Sequence, residues 1–266
     1  MLRWWTGLSR RRRLLLGGIA VAAGAVAAVV GVQTSAGAPA PAPARPGAVL
    51  LVPGYGGSTG SLDTLAARIR RTGRTATVVH LAGNGTGDLN VQARVLDGYV
   101  NRAFSAGSGP VTVIGYSAGG VVTWLWDVDY AGRNRAGMII TLGSPLHGAR
   151  IAAVGAAYDP GECPVACQQL APGSALLVRL QQASRARPPW LSLWTDDDQT
   201  VQPPDSARLA GAVNVSLQEV CPGISISHGQ LPTAPLVTGI VLRTLADGAP
   251  RAPVRNDCAS LEKLGG

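Results

Sequence analysis

The most informative part of this sequence is residues 111–120, which read Val-Thr-Val-Ile-Gly-Tyr-Ser-Ala-Gly-Gly. A β-branched apolar run leads directly into a Gly-x-Ser-x-Gly motif, and a second apolar run, residues 121–126, follows at once. This order predicts a strand, a tight turn and a helix, which together form a nucleophile elbow. Such a turn exposes the hydroxyl of Ser117 and leaves the backbone N–H of Ala118 free to stabilise an oxyanion. The motif therefore predicts acyl transfer through a covalent serine ester.

A second Gly-x-Ser-x-Gly motif occurs at residues 56–60. Its serine, Ser58, lies several residues beyond the preceding apolar run, in a glycine-rich loop, whereas Ser117 follows its apolar run directly. Because the nucleophile elbow requires a strand immediately before the turn, Ser117 is the predicted nucleophile and Ser58 the lesser alternative.

The N-terminal region has the pattern of an export signal. Five arginines precede residue 14, residues 14–32 carry no charge, and a Pro/Ala-rich run covers residues 38–46. This pattern predicts a signal peptide over residues 1–38 and an extended linker over residues 39–46. The apolar stretch is also just long enough to span a bilayer. We therefore expect a secreted protein, or one attached by a retained N-terminal anchor to the outer face of the cytoplasmic membrane.

The basic charge of the chain comes mostly from this leader. The formal net charge is +8, with 23 basic and 15 acidic residues, but five of the basic residues lie before residue 14. The remaining chain has 18 basic and 15 acidic residues. This small excess argues against a nucleic-acid partner.

Four cysteines lie in the part of the chain predicted to be exported. An even number in an oxidising compartment favours two disulfides, for which three pairings are possible. We expect Cys163 to pair with Cys167, closing one loop, and Cys221 to pair with Cys258, tying back the C-terminal tail. A zinc site would need a Cys-x-x-Cys pair or nearby histidines, which the sequence lacks, so no metal is expected.

The apolar runs predict a parallel sheet in one α/β domain. Most of the runs are continuous rather than alternating, as in strands covered on both faces, and helical segments separate them. This alternation predicts right-handed crossovers in a domain covering residues 47–250, followed by a tail over residues 251–266. The predicted strands are residues 48–52, 76–81, 111–115, 138–142, 190–195 and 212–217. The predicted helices are residues 62–71, 89–106, 118–130, 174–183 and 235–245.

Residues 144–189 depart from the regular alternation of strands and helices. This segment is interpreted either as a small cap over the serine or as a simple crossover closed by a disulfide. An apolar cap would select acyl chains by burying their methylene groups.

A serine nucleophile needs a base, and His228 is the predicted one. The base of an elbow hydrolase follows the nucleophile and the acid along the chain, and His228 lies in a loop between the last predicted strand and the last predicted helix. His80 precedes the nucleophile in the chain. We expect His80 and His147 to be structural.

The acid that orients this base is expected among three adjacent aspartates, residues 196–198, at the end of a predicted strand. Asp198 fits best because the turn before Val201 directs it back toward the base, and Asp197 is the second choice. Three neighbouring carboxylates repel one another, so at least one is expected to face solvent or to accept backbone N–H bonds.

The second oxyanion donor is expected in the glycine-rich loop after the first strand. The backbone N–H of Tyr55 is the predicted donor, acting together with that of Ala118.

Four segments resemble bacterial secreted lipases and esterases of the α/β-hydrolase superfamily, particularly the lipase class 2 group. Residues 52–57 resemble the His-Gly-x-Gly oxyanion loop, with Pro in place of His. Residues 115–120 resemble the Gly-His-Ser-x-Gly-Gly elbow, with Tyr in place of His. Residues 141–148 are similar to Thr-Leu-Gly-Thr-Pro-x-His-Gly, and residues 195–201 are similar to the Gly-x-x-Asp-x-x-Val acid loop, which supports Asp198 as the acid.

The resemblance implies an α/β-hydrolase fold with about six mostly parallel strands, helices on both faces and a minimal or small cap. It also implies hydrolysis of triacylglycerols or simpler carboxylic esters through a Ser-Asp-His triad, with no cofactor. The expected partner is a lipid or ester small molecule, with membrane association through the N-terminal apolar segment as an option, and the expected state is a monomer.

Two other interpretations fit the same residues. An envelope-anchored acyltransferase or thioesterase would use the same triad but a different acceptor or substrate. A non-catalytic binding protein on a hydrolase scaffold would lack a triad member, and none is missing from this sequence.

Overall fold

The computed structural model describes residues 47–183 and 187–266, together with the single positions 9 and 11. The chain divides into two compact units, Met1–Ala44 and Arg45–Gly266. The expected leader and linker, residues 1–38 and 39–46, lie outside the described residues apart from those two positions. None of the helices within the described part of the chain is both long and apolar enough to cross a membrane.

The second unit contains one sheet of six parallel strands in the order β2-β1-β3-β4-β5-β6. This confirms the predicted fold class. The strand predicted at residues 76–81 ends earlier, at Val78, where its pairing with Leu51 of β1 also ends. The strands are β1 (Val49–Val52), β2 (Ala76–Val78), β3 (Val111–Tyr116), β4 (Ala136–Leu142), β5 (Trp190–Trp194) and β6 (Val213–Ser216).

Helices connect and cover the strands. Within the described residues they are α1 (Gly60–Arg71), α2 (Leu89–Ser105), α3 (Ala118–Asp129), α4 (Arg150–Tyr158), α5 (Val165–Gln169), α6 (Ala175–Gln182), α7 (Leu217–Val220), α8 (Pro235–Asp247) and α9 (Cys258–Gly265). Residues at the helix ends explain where some of these helices begin and end. Asp88 accepts a hydrogen bond from the backbone N–H of Asn90 at the start of α2, and α8 begins with Pro235 and ends before Gly248, whose φ is +72°.

The sheet separates two apolar cores. Successive strand residues point to opposite faces, so Val49 and Leu51 enter one core while Leu50 and Val52 enter the other. Helices α2, α3 and α6 cover one face, and α1, α8 and α9 cover the other. Both faces are apolar, which explains why the strand sequences are continuous rather than alternating.

Three regions are more helical than the sequence pattern predicts, and one of them is the short helix α7, which directly follows β6. Helices α4 and α5 lie in the segment 144–189, beside the predicted helix that became α6. The C-terminal segment 251–266 contains helix α9, which packs against α8. The backbones approach so closely that a Cβ on Gly239 would lie 1.9 Å from the carbonyl oxygen of Leu261. The last helix is therefore held by packing against α8 as well as by the disulfide that begins at Cys258.

The structure contains two disulfides, Cys163–Cys167 and Cys221–Cys258. The first joins the segment after α4 to α5, and the second joins the end of α7 to the start of α9.

Candidate active site

Ser117 occupies the sharp turn between β3 and α3. Its backbone has φ 52° and ψ −128°. Residues other than glycine rarely adopt this conformation, which costs about 1–3 kcal/mol. The surrounding glycines allow this turn. A Cβ on Gly115 would lie 2.6 Å from the Cα of Gly120, and a Cβ on Gly119 would lie 2.2 Å from the carbonyl oxygen of Val52. A larger residue at position 115 would hold α3 away from β3, and one at position 119 would hold α3 away from the end of β1.

His228 contacts Ser117 although 111 residues separate the two in the chain. Its Nε2 lies 3.0 Å from the Oγ of Ser117. The imidazole is buried, at the start of a short 3-10 helix, His228–Gln230. The Gln230 side-chain oxygen accepts hydrogen bonds from the backbone N–H and the hydroxyl of Ser227. These bonds hold the loop that carries the imidazole.

Asp198 completes a hydrogen-bonded chain with these two residues. Its Oδ2 lies 2.6 Å from the Nδ1 of His228. Its Oδ1 accepts hydrogen bonds from the backbone N–H groups of Thr200 and Val201, at 2.9 and 2.8 Å. The carboxylate is almost fully buried, yet its oxygens have partners, which buried carboxylates require. The turn after β5 therefore aims this carboxylate at the imidazole.

The two neighbouring aspartates have other surroundings. The carboxylate of Asp196 accepts hydrogen bonds from Trp194 Nε1 and from the hydroxyl of Ser216, at 3.1 and 2.7 Å. The side chain of Asp197 is exposed and lies 3.5 Å from the amide nitrogen of Gln218. Neither of these carboxylates contacts His228 within the described part of the chain.

Sequence reasoning did not single out the role of Tyr116. Its hydroxyl donates a hydrogen bond to the backbone carbonyl of His228 at 3.2 Å, and its ring centroid lies 5.2 Å from the imidazole centroid. Burial, and after it the negative charge of Asp198, raises the pKa of Tyr116 to about 12. The phenol is therefore a neutral donor at physiological pH.

Sequence reasoning also missed Gly143, which directly follows β4. Its φ is +54°, and a Cβ there would lie 3.2 Å from both Asp198 Oδ2 and His228 Nδ1. The sequence signal was a glycine between a predicted strand and Ser144-Pro145. Only the packing shows that this glycine leaves room for Asp198 and His228.

The two predicted oxyanion donors lie beside the serine. Ala118 is the first residue of α3, so its N–H has no acceptor within the helix. Tyr55 lies in the turn after β1, and its N–H donates to no atom of the described residues. The loop packs against the serine, since a Cβ on the adjacent Gly54 would lie 3.0 Å from the Cβ of Ser117.

An apolar cavity of about 230 Å³ opens beside Ser117. The loop after β1, the start of α3, helices α4 and α5, and the turn after Asp198 all contribute to its walls. The lining residues are Tyr55, Ser117, Ala118, Pro145, Ala149, Ile151, Ala152, Cys167, Leu170, Thr200 and Val201. The segment 144–189 therefore forms a wall of the candidate active site.

The other candidate residues lie elsewhere. Ser58 is an exposed loop residue before α1, and the exposed His80 donates its backbone N–H to the hydroxyl of Tyr99. The Nδ1 of His147 lies 3.1 Å from the carbonyl oxygen of Ser206. All four cysteines are in disulfides, and no cluster of three or more His, Cys, Asp or Glu within the described residues could hold a metal ion.

Solved structures share this arrangement of strands and helices, whereas no family model and no curated protein matches the sequence. Aspergillus fumigatus lipase B superposes with a TM-score of 0.67 at 19% identity, covering 83% of this chain and 56% of the lipase. The chain thus spans little more than half the length of that protein.

Two further structures match over nearly their whole length. The mature form of Bacillus licheniformis lipase BlEst2 has a TM-score of 0.63 at 17% identity, covering 79% of this chain and 95% of its own. A structure from the metagenome-derived lipolytic enzymes LipS and LipT has a TM-score of 0.61 at 17% identity, with 77% and 95% covered. The chain therefore has the α/β-hydrolase fold, shared with bacterial and fungal lipases and esterases.

Proposed function

We propose that this protein is a serine hydrolase of carboxylic esters that acts through a covalent acyl-enzyme. In this proposal Ser117 is the nucleophile, His228 the general base and acid, and Asp198 the residue that orients the imidazole. The observation that carries the proposal is the unbroken chain of hydrogen bonds from Ser117 Oγ through the imidazole to Asp198, at 3.0 and 2.6 Å.

Acylation follows from this geometry. As the Oγ of Ser117 forms a bond to the ester carbonyl carbon, its proton moves to Nε2 of His228. The resulting imidazolium is stabilised by the carboxylate of Asp198, which keeps its negative charge. The tetrahedral intermediate then breaks its bond to the alcohol oxygen, which takes the proton from His228. The alcohol leaves, and the acyl group remains bonded to Ser117.

Deacylation repeats these steps with water. His228 takes a proton from water as the water oxygen attacks the acyl carbon, and the bond between that carbon and Oγ breaks. Ser117 recovers its proton from the imidazolium, and the carboxylic acid is released. In both halves the N–H groups of Ala118 and Tyr55 are proposed to hold the negatively charged oxygen. No cofactor is part of the proposed reaction.

The proposed substrate is a lipid or other small-molecule ester. Three features support this choice: the apolar cavity beside Ser117, the absence of charged side chains among its described lining residues, and the fold shared with proteins that are named lipases and lipolytic enzymes. An apolar pocket with a few placed polar groups suits a hydrocarbon chain attached to one reactive carbonyl.

The proposed site of action is outside the cytoplasm. Disulfides persist in oxidising compartments, and this domain contains two. Together with the leader expected at residues 1–38, they support an exported domain that begins at residue 47, beyond a linker at residues 39–46.

Replacing the nucleophile tests the proposal. Ser117→Ala is expected to lower the hydrolysis of p-nitrophenyl butyrate by at least about 10³-fold, with an unchanged circular dichroism spectrum. Ser58→Ala is the matched control, because it removes the serine of the other Gly-x-Ser-x-Gly motif and should retain full activity. A fluorophosphonate probe should label the wild type and the Ser58 variant but not the Ser117 variant. Equal activity of all three proteins would overturn the proposal.

A further inference from the structure

The cavity beside Ser117 extends from the surface into the interior. Three of its lining residues, Tyr55, Ile151 and Thr200, are exposed. By contrast, Ala152, Leu170 and Val201 are buried. A ligand group that enters past the exposed residues therefore meets the buried ones further in.

The lining accepts a hydrocarbon group rather than a polar one. Apart from the hydroxyls of Tyr55, Ser117 and Thr200, every described side chain in the lining is apolar, and none is charged. A polar or charged ligand group placed deep in this cavity would lose its hydration without gaining partners.

The cavity lies on the acyl side of the scissile ester bond. The acyl carbonyl must bond to Ser117 while its oxygen meets the N–H groups of Ala118 and Tyr55, and all three residues line the cavity. The leaving alcohol must instead reach Nε2 of His228, and His228 is not among the lining residues. This arrangement favours an acyl group in the cavity and an alcohol on the side of Ser117 that faces His228.

The size of the cavity limits the acyl chain. At about 230 Å³ it is smaller than the roughly 300–1,000 Å³ typical of pockets for drug-sized ligands. A water molecule takes about 30 Å³ of its liquid, and a methylene group is of similar size, so the cavity holds on the order of eight such groups.

A disulfide fixes one wall. Cys167 of α5 lines the cavity and is bonded to Cys163. The disulfide packs against α4, because a Cβ on Gly155 would lie 3.1 Å from the Sγ of Cys167 and 3.4 Å from that of Cys163. The side-chain oxygen of Gln169, also in α5, accepts a hydrogen bond from the N–H of Leu89 at the start of α2. These contacts hold α5 in place and prevent the cavity from widening easily.

We infer that this cavity is the acyl-binding site and that Ala152 and Leu170 set its length, so that the substrates are esters of short and medium-chain acids, up to about eight carbons. The inference rests on the proposed function. Each methylene buried in the cavity should raise kcat/KM about fourfold, equivalent to about 0.8 kcal/mol, until the buried end is reached. Longer chains must leave their ends in solvent and gain nothing more.

The test is a chain-length profile. p-Nitrophenyl esters from C2 to C16 are hydrolysed by the wild type, by Leu170→Ala, which lengthens the cavity, and by Ala152→Leu, which fills it. Leu176→Ala is the matched control, since Leu176 is a similarly buried leucine that does not line the cavity. The wild type should have its maximum kcat/KM at C4–C8. Leu170→Ala should shift the maximum up by about three carbons, and Ala152→Leu should lower the C8-to-C2 ratio at least tenfold.

The outcomes separate the inference from the proposed function. A wild-type profile that rises to C16, or profiles that are the same in wild type and Leu170→Ala, would overturn the acyl-site inference while leaving ester hydrolysis intact. No hydrolysis of any ester, or hydrolysis that survives Ser117→Ala, would overturn the proposed function itself. If Ala152→Leu does not fold, because inserting bulk into a packed site is costly, the Leu170→Ala profile alone decides.

Discussion

The hydroxyl of Tyr116 donates a hydrogen bond to the backbone carbonyl of His228 at 3.2 Å, and the two rings lie with their centroids 5.2 Å apart. Tyr116 immediately precedes Ser117, so the residue before the proposed nucleophile holds the loop that carries the proposed base. The imidazole is thus held from two directions, by Asp198 at Nδ1 and by Tyr116 at the backbone and ring face.

Removing this hydroxyl should reduce catalysis without disturbing the fold. We expect Tyr116→Phe, which keeps the ring contact, to lower kcat two- to tenfold, because a neutral hydrogen bond contributes about 0.5–1.5 kcal/mol. Tyr116→Ala should lower kcat further, because the imidazole also loses its ring contact. A merely structural role would lower thermal stability in both variants while leaving kcat and the pH profile of kcat/KM unchanged.

The raised pKa of Tyr116 predicts how it responds to alkaline pH. An unperturbed tyrosine ionises near pH 10, whereas the pKa of Tyr116 is about 12. Its folded-state pKa exceeds the unfolded value, so its contribution to stability is fully present below about pH 10 and is lost as the pH rises through 12. Tyrosine ionisation is followed by the absorbance of tyrosinate as the pH is raised. Subtracting the titration curve of Tyr116→Phe from that of the wild type should leave the ionisation of one tyrosine, with a midpoint near pH 12. A midpoint near pH 10 would show that burial does not raise the pKa of this phenol.

Asp198 and Asp197 are a matched pair for testing the acid. Asp198→Asn should lower kcat about 10²–10⁴-fold, because an amide stabilises neither the required imidazole tautomer nor the imidazolium. Asp197→Asn removes an adjacent but exposed carboxylate and should change kcat less than twofold. Steady-state kinetics on one ester decides. Equal losses in the two variants would contradict the assignment of Asp198.

Gly143 and Gly73 separate backbone strain from crowding of the site. Both have positive φ, +54° and +83°. A Cβ on Gly143 would lie 2.5 Å from Leu231 Cδ1 and 3.2 Å from His228 Nδ1, whereas a Cβ on Gly73 meets nothing within 4 Å. Gly143→Ala and Gly73→Ala should each lose about 1 kcal/mol or more of stability from the strained backbone. Only Gly143→Ala should also lose activity, as kcat measured well below its melting temperature would show.

The two disulfides should contribute differently to stability. Cys221 and Cys258 are 37 residues apart, whereas Cys163 and Cys167 are four apart. Since a longer closed loop restricts the unfolded chain more, replacing Cys221 and Cys258 with Ala should cost about 2–4 kcal/mol, and replacing the other pair should cost less. Urea unfolding of the two double variants measures this. A larger loss from the Cys163–Cys167 pair would mean that its packing against α4 matters more than loop closure.

Much of the fold could be predicted from local patterns. Most of the six strands could be recognised as continuous apolar runs, because a strand buried on both faces needs no alternation. Helices α4, α5, α7 and α9 were not predicted. Helix α4 is rich in Ala and Gly and leaves apolar residues exposed, and the other three are eight residues long or shorter. Their positions depend on packing partners that are distant in sequence.

The sequence alone determined the fold class and indicated Ser117, because the elbow is a local structure whose strand, glycines and helix are contiguous in the chain. The order of residues along the chain also predicted which residues act with Ser117: one histidine as the base, and one of three adjacent aspartates as the acid. The preference for Asp198 over its two neighbours also came from the sequence, through the turn before Val201 and the resemblance of residues 195–201 to an acid loop. Only the tertiary structure places Tyr116 against His228 and sets the size of the cavity. These properties arise from contacts between segments that meet only when the sheet has formed, and no local sequence pattern encodes the distances between them.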